Sequence, residues 1–360
     1  MTRPLDVRVR EQAEQCRPHS PLTAALLSGA ADELGAPGPV RDLLAPLADD
    51  PPGSVPALRF AGALHRLVLE RQAPALALHY PSVGGAVGVD GAWAAAREVV
   101  RTEPRLSELV RRPVQTNEVG RSAALYGGLL HVVARTGLPV RLLEVGASAG
   151  LNLRVDAFAY EVGDRVLGDP ASPVRLRQPW QGTPPPQADL VVAQRSGCDP
   201  EPLDPGSTAD RLTLTSYVWA DQVERLERLR GALRVAEQVP ASVEALPASA
   251  FLARELATPV PGVVTVVWHS VVWQYLDPQE REALRELLAD AGARATREAP
   301  LALLSHEPER VGSSGFRFSV ALSSWPGAQV SGSQVPGAQV EVLAEAQGHG
   351  PPVLWGRRTS

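Results

Sequence analysis

Residues 140–153 read VRLLEVGASAGLNL. Leu142, Leu143 and Val145 form a short apolar run of the kind needed by a parallel strand buried on both faces. Gly146 and Gly150 then bracket Ala147, Ser148 and Ala149, so no bulky side chain stands where the chain turns. Leu151, Asn152 and Leu153 open what reads as a helix. Such a strand–turn–helix corner is expected to present backbone N–H groups, which favour anionic ligand groups. Glu144, just before the turn, is placed to accept hydrogen bonds from a ligand. An ordinary glycine-containing βα turn carries the same residues, so the surrounding pattern has to decide between them.

Upstream, every periodic segment is helical. Residues 5–35 carry Leu22, Leu26, Leu27 and Leu34 at helical spacing, and 55–73 and 93–109 repeat the pattern between proline-rich breaks. His65 on the second of these is expected to be a half-buried surface histidine. Residues 1–114 are therefore expected to form an α-helical domain or cap with no strand. Residues 115–137, QTNEVGRSAALYGGLLHVVARTG, continue as a helix. Asn117 is a candidate cap, Glu118 complements the positive end, and Gly137 with Pro139 ends it. Asn117, Glu118 and Arg121 cluster within one turn, close to where the chain enters the central strand. They read either as substrate contacts or as capping plus a surface ion pair.

Downstream, strands alternate with helices. An insertion near 158–178 contains a hairpin over 160–167, split by Gly163-Asp164. Residues 189–193 (DLVVA) read as a second buried strand followed by a polar turn, 242–246 as a weak third, and 262–268 (GVVTVVW) as the strongest strand of the chain. Ser207 with Asp210, and Asp221 with Glu224, are candidate capping boxes. A helix over 279–293 precedes a strand at 301–304. Alternation at Phe316, Phe318, Val320 and Leu322, with runs at 340–343 and 352–355, gives a β-rich tail. Two copies of PGAQV, at 326–330 and 336–340, flank a Ser/Gly spacer in an expected hairpin loop. This order predicts an α/β chain whose residues 115–360 build a doubly wound, Rossmann-like sheet.

Composition removes several function classes. The 35 basic residues are all arginine, so phosphate-loop, kinase and Schiff-base lysines are absent. A net charge of −5 with signs interspersed gives no footprint for nucleic acid. No run is apolar enough to span a bilayer and no secretion leader is evident, so no membrane association is expected. Cys16 and Cys198 lie far apart, which fits two free thiols in a cytoplasmic protein. The 7 histidines are scattered without ligand spacing, so no metal centre is expected.

Three chemistries compete for the glycine turn. A dinucleotide fingerprint needs a second glycine where Ser148 stands. A nucleophile elbow is spelled literally by Gly146-Ala147-Ser148-Ala149-Gly150, with Ser148 as nucleophile, Asp277 as acid and His306 or His349 as base. That elbow should follow several strands, and none precedes residue 140. The third reading is the acid-x-Gly-x-x-x-Gly corner of a methyl-donor enzyme, which tolerates serine because S-adenosylmethionine has no pyrophosphate. It also suits a turn after the first strand of a sheet.

Residues 115–121 (QTNEVGR), 143–153 (LEVGASAGLNL), 197–204 (GCDPEPLD), 217–229 (YVWADQVERLERL) and 266–275 (VVWHSVVWQY) together resemble a bacterial family of unknown function. That family is usually described as having a class I S-adenosylmethionine-dependent methyltransferase-like core. The resemblance implies that Glu144, Gly146 and Gly150, with Ala147, Ser148 and Asn152 along the turn, hold S-adenosylmethionine. Asp199 would take the ribose, with Glu161 and Asp164 as alternatives, because Asp199 lies well beyond the roughly twenty residues of a compact βαβ unit. Ala248-Ser249 stands where an adenine-binding acid is common, leaving adenine to Ser249 or to backbone. His269, at the end of the strongest strand, is placed to act as general base. Ser270, Trp273 and Tyr275 would join Asn117, Glu118 and Arg121 around a small-molecule acceptor. The expected function is methyl transfer to that acceptor. The alternatives are a catalytically degenerate protein of the same fold that binds a nucleoside or partner, and a serine hydrolase using Ser148.

Overall fold

The computed structural model describes residues 3–50, 52–311, 315–326 and 338–356. The loop carrying most of the PGAQV duplication lies outside the described residues. The chain divides into two compact units. One comprises Met1–Thr116 with Gly206–Glu227, the other Asn117–Pro205 with Arg228–Ser360. Residues 206–227, far along the chain, thus group with the N-terminal helices.

The first unit is helical, with helices at Leu5–Cys16, Pro21–Leu34, Pro39–Leu44, Pro56–Leu69, Ala92–Thr102 and Thr208–Ser216. Leu26, Leu27, Phe60, Leu64, Leu67 and Leu76 form its buried centre. Ser207 caps its helix as expected, accepting from Asp210 N–H. Asp221 does something the sequence did not suggest. Its carboxylate accepts from Leu22 N–H at 3.0 Å and from the Ser20 hydroxyl, completing the cap of Pro21–Leu34. His65 is fully buried rather than half-exposed. Its ring nitrogens lie 3.2 Å from Ser216 O and 2.8 Å from Ser82 Oγ, and burial pulls its pKa down to about 4.

The second unit contains the strands. They are β1 (Val140–Val145), β2 (Ala159–Val162), β3 (Arg165–Gly168), β4 (Arg175–Arg177), β5 (Trp180–Gly182), β6 (Val192–Asp199), β7 (Ser242–Ala245), β8 (Val264–Ser270), β9 (Leu301–Val311), β10 (Gly315–Trp325), β11 (Gln339–Gln347) and β12 (Gly350–Trp355). Nine form a mixed sheet in the order β5-β12-β11-β10-β9-β8-β1-β6-β7, and β3-β2-β4 form a small separate one. Neighbours from β9 to β7 run parallel. The tail β9-β10-β11-β12 is antiparallel. β1 and β8 are buried along their whole length, which is why both read as unbroken apolar runs. β6 begins later than DLVVA and extends through Arg195, Ser196 and Gly197, residues that had read as a polar turn.

Strand faces follow from register. Leu143, Val145, Cys198, Val267, Leu301 and Leu303 pack with Phe251, Leu252, Leu284 and Leu288 from helices Ala248–Glu255 and Pro278–Ala293. The second of these helices starts on Asp277, whose side chain accepts from Glu280 N–H at 2.8 Å, with proline next. Alternate residues point the other way, where Leu304 meets Gly128 of helix Ser122–Thr136. That helix ends on Gly137 in the left-handed region, φ +66°, as its sequence requires. No helix among the described residues is long and apolar enough to cross a membrane.

Candidate functional site

Chain order reverses between β1 and β8. The parallel strands run outward from β1 to β6 to β7, then resume on β1's other side with β8 and β9. Such reversals leave a crevice at the strands' carboxyl ends, where α/β sheets hold ligands. The glycine turn, Asn117–Arg121 and Ser270 all converge on this end.

The turn differs from its sequence reading in one important way. Gly146, Ser148 and Gly150 have φ of +70°, +51° and +66°, so the bend is as tight as expected. Its amides, however, are bonded within the protein. Gly146 and Ala147 N–H both donate to Cys198 O (2.9 and 3.0 Å), Ser148 N–H to Asp199 Oδ2 (3.0 Å), and Gly150 N–H to Ala147 O (2.7 Å). Leu151 N–H donates to Asn117 Oδ1 at 2.8 Å, so Asn117 ties the turn down instead of capping its own helix. The expected α-helix is a short 3-10 segment, Leu151–Ala157, interrupted at Arg154. A Cβ on Gly146 would stand 2.4 Å from Val272 Cγ2. The corner therefore does not offer an anion a row of free N–H groups, and that expectation is corrected.

The buried side chains at this end of β1 include several hydrogen-bond acceptors. Glu144 and Trp268 are paired in register on β1 and β8, on the face turned toward helix Ser122–Thr136. Glu144 is 3% exposed, and its Oε2 has no hydrogen-bond partner among the described residues. Asn152 Oδ1 is likewise buried and unbonded, while the Trp268 indole faces the Glu144 carboxyl as a donor. Burial, reinforced by the Asp199 carboxylate, pushes the Glu144 carboxyl up to about 8. Asp199 ends β6 on the same face, accepting from Ser148 and Glu201 N–H at 3.0 Å each. Asn152 Nδ2 donates to Glu118 O at 3.3 Å. Arg121 Nη1 donates to Ser270 O at 3.2 Å, and its Nε to Gly348 O at 2.9 Å. Glu118, Arg121, Asn152 and Ser270 are thus brought together beside Glu144.

The other expected contacts lie elsewhere. His269 pairs in register with Val145, so it sits on the opposite face from Glu144. Its Nδ1 lies 2.7 Å from Glu307 Oε1, which also accepts from Val272 N–H at 3.0 Å, and its ring stacks on Trp273. Glu307 was not legible as its partner because the β8–β9 register brings them together. Tyr275 is 54% exposed on a 3-10 turn. Ser249 gives its N–H and hydroxyl to the Glu280 carboxylate at 2.7 and 2.8 Å, so both of the groups expected to read adenine are engaged. Glu161 is paired to Arg175 at 2.6 Å in the small sheet, and Asp164 turns the β2–β3 hairpin. Asp199 is the acid beside the turn. For the hydrolase reading, Asp277 is a helix cap and His306 is fully buried, its pKa drawn down to about 3 by burial. Among the described residues no group of three or more His, Cys, Asp or Glu side chains could hold a metal ion.

Comparison with curated proteins and with solved structures finds no match. Residues 6–355 match a family model described as an uncharacterized protein conserved in bacteria (DUF2332), and the chain belongs to that family.

Proposed function

We propose that the strand-bearing unit is a Rossmann-like, class I methyltransferase-like core that binds S-adenosylmethionine across the carboxyl ends of β1 and β6 and methylates a small-molecule acceptor. One observation carries the reading. Glu144 and Asp199 end neighbouring parallel strands on one face of the sheet, at the reversal of strand order, and Glu144 Oε2 is buried without a partner. The order of the five parallel strands in the chain's own sequence, third-second-first-fourth-fifth, is the Rossmann order and supports it.

The donor set fits this ligand better than its rivals. A dinucleotide or nucleoside triphosphate needs free amides for its phosphates, and here those amides are used internally. S-adenosylmethionine instead presents ribose hydroxyls, an ammonium group and a positive sulfur, all of which seek acceptors. Asp199 would take the ribose hydroxyls on the lone pairs its two backbone bonds leave open. Glu144 would meet the cationic end, ionising as it does so. When bound, the group supplies an activated methyl; the protein's part is to align donor and acceptor and exclude water. A second reading, binding without catalysis, is favoured by the Val272 side chain seated over Gly146 and by the Ser249–Glu280 bonds.

Calorimetry with S-adenosylmethionine and S-adenosylhomocysteine tests the reading. Expected are saturable heat for both and, for the cationic ligand near pH 7, release of a proton from Glu144. The proton shows as heat that varies with the ionisation enthalpy of the buffer. Both Glu144→Gln and Asp199→Asn should weaken binding. No heat and no rise in Tm with either ligand sinks the proposal.

A further inference from the structure

The tip of the β11–β12 hairpin is pressed onto the turn Val119–Arg121 with no side chain between them. A Cβ on Gly120 would stand 2.3 Å from His349 O, and one on Gly350 (φ +96°) 2.1 Å from Gly120 O. Arg121 Nε donates to Gly348 O, and Glu118 Oε1 accepts from Gly120 N–H at 3.0 Å. The consequence of this backbone-to-backbone seating is that His349 is delivered beside Glu118. Its Nδ1 lies 3.8 Å from Glu118 Oε2, the carboxylate side chain being 5% exposed and the imidazole 40%. A nearly buried acid thus faces a histidine that still reaches solvent. The tip is tied to the residues near Glu144 through Arg121, which donates to both Gly348 O and Ser270 O, and through Glu118 O, which accepts from Asn152 Nδ2. His269, by contrast, looks out from the other face of the sheet.

We propose that His349 is the proton acceptor of this site, positioned by Glu118. It follows that the methyl acceptor is a nucleophile that arrives bearing its proton on nitrogen or oxygen, such as an amine, an imidazole or a phenol. The inference rests on the methyl-donor reading above and names its substrate class. The acceptor's N–H or O–H proton passes to the His349 imidazole. The electron pair it leaves forms the new bond to the methyl carbon of S-adenosylmethionine, with the electrons of the broken C–S bond left on sulfur. A thiolate or carboxylate acceptor needs no such partner. Glu118 presents a negative charge 3.8 Å from the ring, and the Arg121 guanidinium at Gly348 O and the His306 ring are the other titratable or charged groups beside it.

Diethyl pyrocarbonate acylates neutral imidazole, and its rate at His349 can be read by peptide mass spectrometry against His131 in the same digest. In Glu118→Gln the amide oxygen still accepts from Gly120 N–H, but the charge is gone. His349 labelling at pH 7 is expected to rise at least about twofold, with its pH profile displaced and His131 unchanged. In the unaltered protein, saturating S-adenosylhomocysteine is expected to slow labelling of His349 and not of His131, an arm that stands even where the variant folds poorly. Superimposable pH profiles overturn the pairing. Unprotected His349 in protein that calorimetry shows to be loaded overturns its place in the site. Absence of S-adenosylhomocysteine binding overturns instead the methyl-donor reading, and with it the substrate class.

Discussion

Replacing Glu144 by glutamine should stabilise this protein at alkaline pH, although a buried side chain on the central strand is being changed. The Glu144 carboxyl is pushed from 4.5 to about 8 by burial and by the Asp199 carboxylate. Its folded pKa lies above its unfolded one, so between these values the folded state holds a proton that the unfolded chain has lost. Stability contributed by the protonated form is complete below about 4.5 and is lost as pH rises toward 8. At about 1.36 kcal/mol per pH unit, the wild type loses about 3 kcal/mol between pH 5 and pH 8 from this group alone. That is a large share of a typical 5–15 kcal/mol. Glutamine has nearly the same shape and does not titrate. The variant should therefore exceed the wild type by about 4 kcal/mol at pH 8 and by less than about 1 kcal/mol at pH 5. Urea unfolding at pH 5, 6, 7 and 8, followed by far-UV circular dichroism and the summed emission of the seven tryptophans, measures this directly. A difference between variant and wild type that stays flat across the series would refute the reasoning, because Glu144 would then be ionised or solvated in the folded state.

The remaining expectations use the same kind of measurement. Gly146→Ala puts a Cβ 2.4 Å from Val272 at a φ of +70° and should cost about 2–4 kcal/mol. Adding Val272→Ala should recover the steric part only, and full recovery or none would contradict the two-part origin of the cost. Burial holds His65 down at about 4 and His306 at about 3, against 6.5 unfolded. The unfolded chain then binds more protons below about 6.5, so each unit should lose about 1–2 kcal/mol per histidine by pH 5. His65→Gln should flatten that limb for the helical unit, which Tm against pH would show. Asp199→Asn should loosen the turn, because an amide that turns its NH2 toward Ser148 cannot accept both backbone N–H groups. About 1–2 kcal/mol is expected in denaturant unfolding.

The N-terminal helices, β1, β8 and the helix after it were legible because each is a local pattern: leucines at helical spacing, an unbroken apolar run, an Asp-Pro start. Glu118, Arg121 and Ser270 were legible as polar residues clustered at predicted element ends, and strand pairing does bring them together. What the chain conceals is partnership over long sequence separation. Nothing near residue 20 announces Asp221, nothing near 269 announces Glu307, and nothing near 118 announces His349. The displaced start of β6 shows the converse error. DLVVA is apolar enough to be a strand, yet the residues that pair with β1 include Arg195, Ser196 and Gly197, whose places are set by register rather than hydrophobicity. The turn itself teaches the most. Glycine spacing correctly specified a tight bend, but whether its N–H groups await a ligand depends on which carbonyls and carboxylates approach from β6 and residue 117. Cys198, Asp199 and Asn117 take them, so the turn presents no row of free donors. Under the methyl-donor proposal, Glu144 and Asp199 rather than the turn's amides would then meet the ligand, which is why the Glu144→Gln series tests that proposal most directly.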